Sequence, residues 1–384
     1  MSREILLTPG PTHVPPQVFA AMQNPTMHHR TDAFKKELRA ALNGVRRLLD
    51  IDSDPVLIAG SGTAAMEAAL LNICRPGDQI IVVNGGKFGE RWLSLARALE
   101  LNAVELRVEW GSSAETAAVI DLLKQNSSAR ALCLQQCETS TGALHPVEEI
   151  CKAAKKVSPD ILTVVDAVSS IATMPLYPDR MQIDVLVAAA HKGLMLPPGL
   201  ALLALSSSAW RAAESNKIRT LYFNLLLERK AHAKDSTSWT PAMNHILGLN
   251  AALAMIGSEG LGQVFERHVA FAEACRAAAR EMGLEIFAKH PAPGVTSLRM
   301  PDGIDGDKVR SRMLQAASVR IAGGQDELKG RIIRIGHMGF VSADDLRNGL
   351  AALEEALLHL GCEFQAGSAA AAFEGYLKER ASER

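Results

Sequence analysis

Two residues that end apolar runs, and one glycine-rich turn, carry most of the chemistry legible in this chain. The run from Ile161 closes on Asp166, and the run that starts at Asp184 closes on His191-Lys192. A carboxylate that follows four or five apolar residues is desolvated unless a cation meets it. Asp166 could also simply cap the segment Ala167-Val168-Ser169-Ser170 that follows it. Lys192 stands between a buried run and the loop Leu196-Pro197-Pro198-Gly199, which does not suit a solvated surface lysine. Burial and a neighbouring positive charge lower a lysine's pKa, and a lysine so treated becomes a nucleophile towards a carbonyl carbon. Upstream, Gly60-Ser61-Gly62-Thr63 joins an apolar run to a helical one. Glycine lets the backbone approach a ligand closely, and the N–H groups of a first helical turn attract phosphate. Ser61 and Thr63 add two hydroxyls. A plain strand-to-helix turn with a hydroxyl cap stays open as the other reading. The turn matches neither G-x-x-x-x-G-K-[ST] nor G-x-G-x-x-G, which argues against nucleoside triphosphates and dinucleotides.

These groups work together only if the backbone brings them to one place. Strand-like apolar runs fall at residues 56–59, 79–83, 103–108, 129–135, 161–165, 185–189 and 200–205, with amphipathic helical stretches between most of them. Runs that are apolar on both faces and alternate with helices predict an α/β fold with a mostly parallel, seven-stranded sheet covered on both sides. In such a sheet, ligands bind beyond the carboxyl ends of the strands, where Ser61, Asp166 and Lys192 would sit. After Trp239-Thr240-Pro241 the pattern changes to a long helical run over 244–282. Strands follow at 284–288, 294–298 and 331–335, with helices at 307–317 and 343–360. Ser342 with Asp345 predicts a capping box for the last helix. The expected division is an N-terminal arm (1–20), a large domain (21–258) and a small α+β domain (259–384), with a fraying tail after Gly367.

Composition removes several classes of function. The chain has 384 residues, 48% apolar and 22% charged, with 41 basic against 42 acidic side chains. A formal charge of -1 offers no field for a nucleic-acid backbone or an anionic membrane. Aromatic residues make up 4%, which favours helix-rich α/β over all-β architecture. Cys74, Cys133, Cys137, Cys151, Cys275 and Cys362 are scattered, so a disulfide scaffold is not expected and a reducing cytoplasm is. The opening residues, with charges at Arg3 and Glu4 and a proline at Pro9, do not read as a secretory segment. The longest uncharged apolar run, residues 193–205, is too short and too broken by proline to cross a bilayer. No metal site is expected.

Beyond these residues, TPGPT near the start, GSGTAAMEA, CETSTG, VDAVSS, HKGLMLPPGL and RIGHMG follow one another from residue 7 to residue 340. The chain thereby resembles the class V aminotransferases of the alanine–glyoxylate and serine–glyoxylate group, which are fold-type I enzymes dependent on pyridoxal 5′-phosphate. The resemblance implies that Lys192 forms the Schiff base with the cofactor and moves the proton at the substrate Cα, while Asp166 pairs with the pyridinium nitrogen. It places Ser61, Gly62, Thr63 and His191 at the phosphate, and Phe88 and Val168 on the two faces of the ring. Thr139 falls at the ring oxygen and substrate. Arg334 would grip the substrate carboxylate, and Gly10 would line a pocket for a small substrate. Thr240 would reach the phosphate of a neighbouring subunit, implying a homodimer with a shared site. Thr237 stands where relatives often carry a tyrosine, and His29-Arg30 is a further candidate for pocket or interface contacts. The implied reaction is ping-pong transfer from alanine or serine to a 2-oxo acid, with glyoxylate favoured.

Two other readings compete. Cysteine desulfurases and lyases share the superfamily but need a nucleophilic cysteine on a mobile loop. Cys275 lies in a helical pattern and Cys362 follows the last long helix. An electron-transfer subunit associated with a hydrogenase would need clustered cysteine ligands, and the six here lack paired spacing.

Overall fold

The structure, a computed structural model, describes residues 4–25 and 27–382. The seven runs expected between residues 56 and 205 form one sheet. Its strand order is Val56–Gly60, Gly199–Leu205, Val185–Ala189, Leu162–Asp166, Ala131–Gln135, Gln79–Asn84 and Asn102–Arg107. Gly199–Leu205 runs antiparallel to both neighbours, and the other four pairings are parallel. The reason lies in the connection. The loop of residues 190–198 is shorter than a crossover, which takes a dozen or more residues, so the chain turns straight back. Side chains alternate between the faces: Ile81 and Val83 join one apolar core and Ile80 and Val82 the other. Helices Asp32–Leu49, Val147–Val157 and Met243–Glu259 cover the first face, and Gly62–Ile73 and Lys87–Ala98 the second.

A second sheet has the order Ile5–Leu7, Val319–Gly323, Ile332–Gly336, Val295–Arg299 and Glu285–Ile286. Ile5–Leu7 pairs parallel to Val319–Gly323, so the start of the chain belongs to the sheet built near its end. Neither of these two strands was expected. The long helical run divides at Gly260, whose φ of 89° suits glycine, into Met243–Glu259 and Leu261–Glu281. Both halves of the Ser342–Asp345 capping box are present. The tail expected to fray is instead the helix Ser368–Ser382. It packs on Leu261–Glu281 and buries Phe373 completely, and one aromatic anchor on an Ala-rich helix is a weak signal in sequence.

Candidate active site

Lys192 follows the strand Val185–Ala189 and is pinned through its main chain. Its carbonyl accepts from Met195 N at 2.9 Å and from the Thr12 hydroxyl at 3.0 Å. Its side chain then runs over Gly10, where a Cβ would overlap Lys192 Cδ, Cε and Nζ, and where φ is 107°. Glycine is therefore required at position 10 on two counts. The amine, on a residue 7% exposed, donates to the Pro9 carbonyl and, at 3.4 Å, to Ser169 Oγ. Burial pushes its pKa down to about 8; Cys137 and Asp166 oppose the shift, and Arg334 and Arg91 add to it.

Asp166 is the last residue of the strand Leu162–Asp166, and its Oδ1 accepts from Val168 N at 2.8 Å. That bond is the local cap left open by the sequence, and the second carboxylate oxygen has no hydrogen-bond partner among the described residues. Burial raises the Asp166 pKa to about 6, against the Val168 N–H and the positive charges of Arg91 and Lys192. Val168 in turn touches the start of the helix Gly62–Ile73: a Cβ at Gly62 would lie 2.5 Å from Val168 Cγ2. Ser61 is the N-cap of that helix and makes no side-chain cap bond. The first backbone donors into the helix are Ala64 and Ala65, both to Ser61 O. The N–H groups of Gly62 and Thr63 thus point out of the helix end, as an anion site requires. His191 is half-buried, with Nδ1 buried and without a hydrogen-bond partner among the described residues, and burial drives its pKa down to about 4.

Arg334 comes from the second sheet, on Ile332–Gly336. It is 8% exposed and makes no salt bridge among the described residues. Nε donates to Gly323 O and Nη1 to Thr139 O, both at 2.8 Å. Burial brings its pKa down to about 10. The Thr139 hydroxyl donates to Ser169 Oγ at 2.6 Å, so Lys192, Ser169, Thr139 and Arg334 form one continuous polar chain between the sheets. Phe88, in the first turn of the helix Lys87–Ala98, is half-buried, and the Arg91 guanidinium lies 4.8 Å from its ring centroid.

The other expected groups lie apart from this chain. Thr240 is exposed, beside Trp239, Ala59 and Leu200 at the edge of the large sheet. Thr237 turns its hydroxyl to Trp239 O at 2.7 Å. His29 stacks on His28 with ring centroids 4.7 Å apart, and no hydrogen bond links it or Arg30 to the polar chain among the described residues. Cys275 is buried, with its thiol pushed up to about 12, and Cys362 is half-buried. A cavity of about 640 Å³ lined by Asp52, Trp210 and Arg229 sits where Val56 begins and Leu205 ends, at the opposite end of the strands. The sequence assigns no role to Ser169, Arg91 or Glu138. Ser169 belongs to the VDAVSS segment, but nothing in its spacing marks its hydroxyl as a bridge between Lys192 and Thr139.

The sequence profile described as Aminotransferase class-V matches residues 5–329. The chain is 38% identical over 381 residues to an uncharacterized aminotransferase of Methanocaldococcus jannaschii, with 98% of each covered. It is 36% identical over 373 residues to the soluble hydrogenase 42 kDa subunit of Anabaena cylindrica, covering 96% of this chain and 97% of the other. With the serine–glyoxylate aminotransferase of Methylorubrum extorquens the identity is 30% over 388 residues, covering 98% and 96%. Among solved structures, the ureidoglycine–glyoxylate aminotransferase of Bacillus subtilis aligns with a TM-score of 0.92 at 28% identity, covering 98% of this chain and 99% of that one. An alanine–glyoxylate aminotransferase of Nostoc sp. aligns at 0.89 with 27% identity, covering 93% and 96%.

Proposed function

The chain belongs to the class-V aminotransferases, and we propose that it carries pyridoxal 5′-phosphate on Lys192 and moves an amino group from a small amino acid to glyoxylate. Its fold is that of the fold-type I enzymes, and its cofactor is pyridoxal 5′-phosphate. The observation that carries the residue assignment is a buried, deprotonation-prone amine at a strand end, beside a buried carboxylate and bridged by hydrogen bonds to a buried guanidinium that makes no salt bridge among the described residues.

The residues present fit the cofactor. The helix end at Gly62 is open because a side chain there would strike Val168, and the orphaned Nδ1 of His191 is a spare polar atom close by in sequence to Lys192. When bound, the cofactor supplies an electron-poor ring that accepts the electron pair left as the substrate Cα–H bond breaks. Lys192 would hold the cofactor covalently and, once free of it, would move the proton from the substrate Cα to the cofactor carbon that receives the amino group. Asp166 keeps the ring nitrogen protonated. Ser61, Gly62, Thr63 and His191 would bind the phosphate, Phe88 and Val168 would flank the ring, and the Thr139 hydroxyl would turn from Ser169 to the ring oxygen. Arg334 offers a planar fork to the substrate carboxylate, which fixes the direction of the Cα–H bond. Gly10 would present bare backbone to a small substrate beside the Lys192 side chain.

Glyoxylate is the acceptor named in the M. extorquens, B. subtilis and Nostoc proteins, while their donors differ. This supports glyoxylate as acceptor, with glycine as product, and alanine or serine as donor. The exposed position of Thr240 suits a contact to the phosphate of a second subunit in a homodimer. The division at residues 20 and 258 and a cytoplasmic location belong to the same reading. No helix among the described residues is long and apolar enough to cross a membrane. Mixing the purified protein with pyridoxal 5′-phosphate should produce a visible absorption band that Lys192→Ala lacks, and alanine or serine should bleach it. A band that survives Lys192→Ala refutes the lysine assignment, and a panel of amino acids that never bleaches it refutes the reaction.

A further inference from the structure

The segment Glu138-Thr139-Ser140-Thr141-Gly142 contains a carboxylate that the reading above leaves without a task. Glu138 is 0% exposed, on the two-residue strand Cys137–Glu138, and has no salt-bridge partner among the described residues. It collects hydrogen-bond donors instead. Oε2 accepts from the backbone N–H groups of Phe88 and Gly89, each at 3.1 Å. Oε1 accepts from Ser140 N at 3.2 Å and from the Ser140 hydroxyl. The oxygen of that hydroxyl accepts from Lys87 N at 3.1 Å. Lys87, Phe88 and Gly89 open the helix Lys87–Ala98, so these are the N–H groups that no intrahelical carbonyl satisfies, at the end whose dipole favours an anion. An ordinary cap comes from the residue just before the helix. Here that residue is Gly86, whose missing side chain makes the room: a Cβ would lie 2.7 Å from Glu138 Cδ. The cap is supplied from 50 positions away.

The donors belong to two separate pieces of chain. One is the helix that presents Phe88; the other is the loop that presents Thr139, whose carbonyl holds Arg334. We propose that Glu138 is a positioning residue: its buried carboxylate clamps the Phe88 helix to the Thr139 loop and so sets the aromatic platform for the cofactor ring at a fixed place relative to Arg334. This rests on the cofactor reading given above. Glu138→Gln keeps the shape but turns an N–H₂ group towards donors, so one set of clamping bonds is lost.

The test uses the full-length protein and pyridoxal 5′-phosphate itself. Glu138→Gln should weaken cofactor binding by about tenfold, reduce the induced circular dichroism of the visible band, and speed amide exchange at Phe88 and Gly89 in cofactor-free protein. In a Phe88→Ala background the same substitution should change affinity by less than about twofold, because the effect passes through Phe88. Ser140→Ala, which removes one donor, should move the same readouts in the same direction by less, and serves where Glu138→Gln does not fold. Unchanged affinity and amide exchange, or equal losses with and without Phe88, overturn the clamp and leave the cofactor reading standing. A wild-type protein that forms no visible band overturns that reading and the clamp with it.

Discussion

At Lys192 the burial that lowers the pKa of the amine also costs stability. Its folded pKa of about 8 lies below the ordinary 10.5, so below pH 8 the protonated amine is penalised in the fold and not in the unfolded chain. The penalty fades as pH rises from about 8 to 10.5. Asp166 runs the other way: its folded pKa of about 6 exceeds 3.8, and the penalty on its ionised form is full above pH 6 and fades as pH falls towards 3.8. Near neutrality the cofactor-free site holds both groups at a cost. Cofactor-free Lys192→Met should therefore melt about 2–4 °C above wild type at pH 7, with a smaller gain at pH 10. A variant that melts at or below wild type at pH 7 would show that the amine is not desolvated. By the same sign, the rate at which cofactor-free protein takes up pyridoxal 5′-phosphate should climb with pH around a midpoint near 8, measured by stopped-flow absorbance. Both residues were legible in sequence, because a charged group ending an apolar run has few structural excuses. Glu138 was not, since its donors come from a helix that only the fold brings near.

Among elements, the turn before the helix Gly62–Ile73 leaves little room for added bulk. Its glycine packs on Val168, two residues beyond Asp166, so the groups proposed to hold the phosphate and the ring share one contact. Gly62→Ala must push that helix or Val168 aside, at a cost of about 1–3 kcal/mol. The expected outcome is roughly tenfold weaker cofactor binding by titration of the visible band, with the chain still folded. Unaltered binding would mean that the helix end does not hold the phosphate. Periodicity showed this turn and the strands on either side of it. It did not show that Gly199–Leu205 runs antiparallel, because an apolar run carries no direction; the short loop that holds Lys192 imposes it. Nor did it show Ile5–Leu7, whose three residues are too few to display an alternation and whose partner strand lies more than 300 positions away.

For the molecule as a whole, the site is a seam between two sheets. Lys192 and Asp166 come from the carboxyl ends of the large sheet, Arg334 comes from the small one, and Pro9 and Gly10 lead out of the strand that joins the small sheet from the opposite end of the chain. Arg334→Ala should raise KM for the amino donor by about a hundredfold while altering cofactor retention little, since the lost hydrogen bonds to a charged group belong to the substrate. Equal losses in both would place Arg334 in the scaffold instead. The covalent link at Lys192 can be read chemically. Protein loaded with pyridoxal 5′-phosphate is reduced with borohydride, digested and mapped by mass spectrometry. The added mass should fall on the peptide containing Lys192, and disappear when the amino donor is added before reduction. Adduct on another lysine, or on none, would contradict the account.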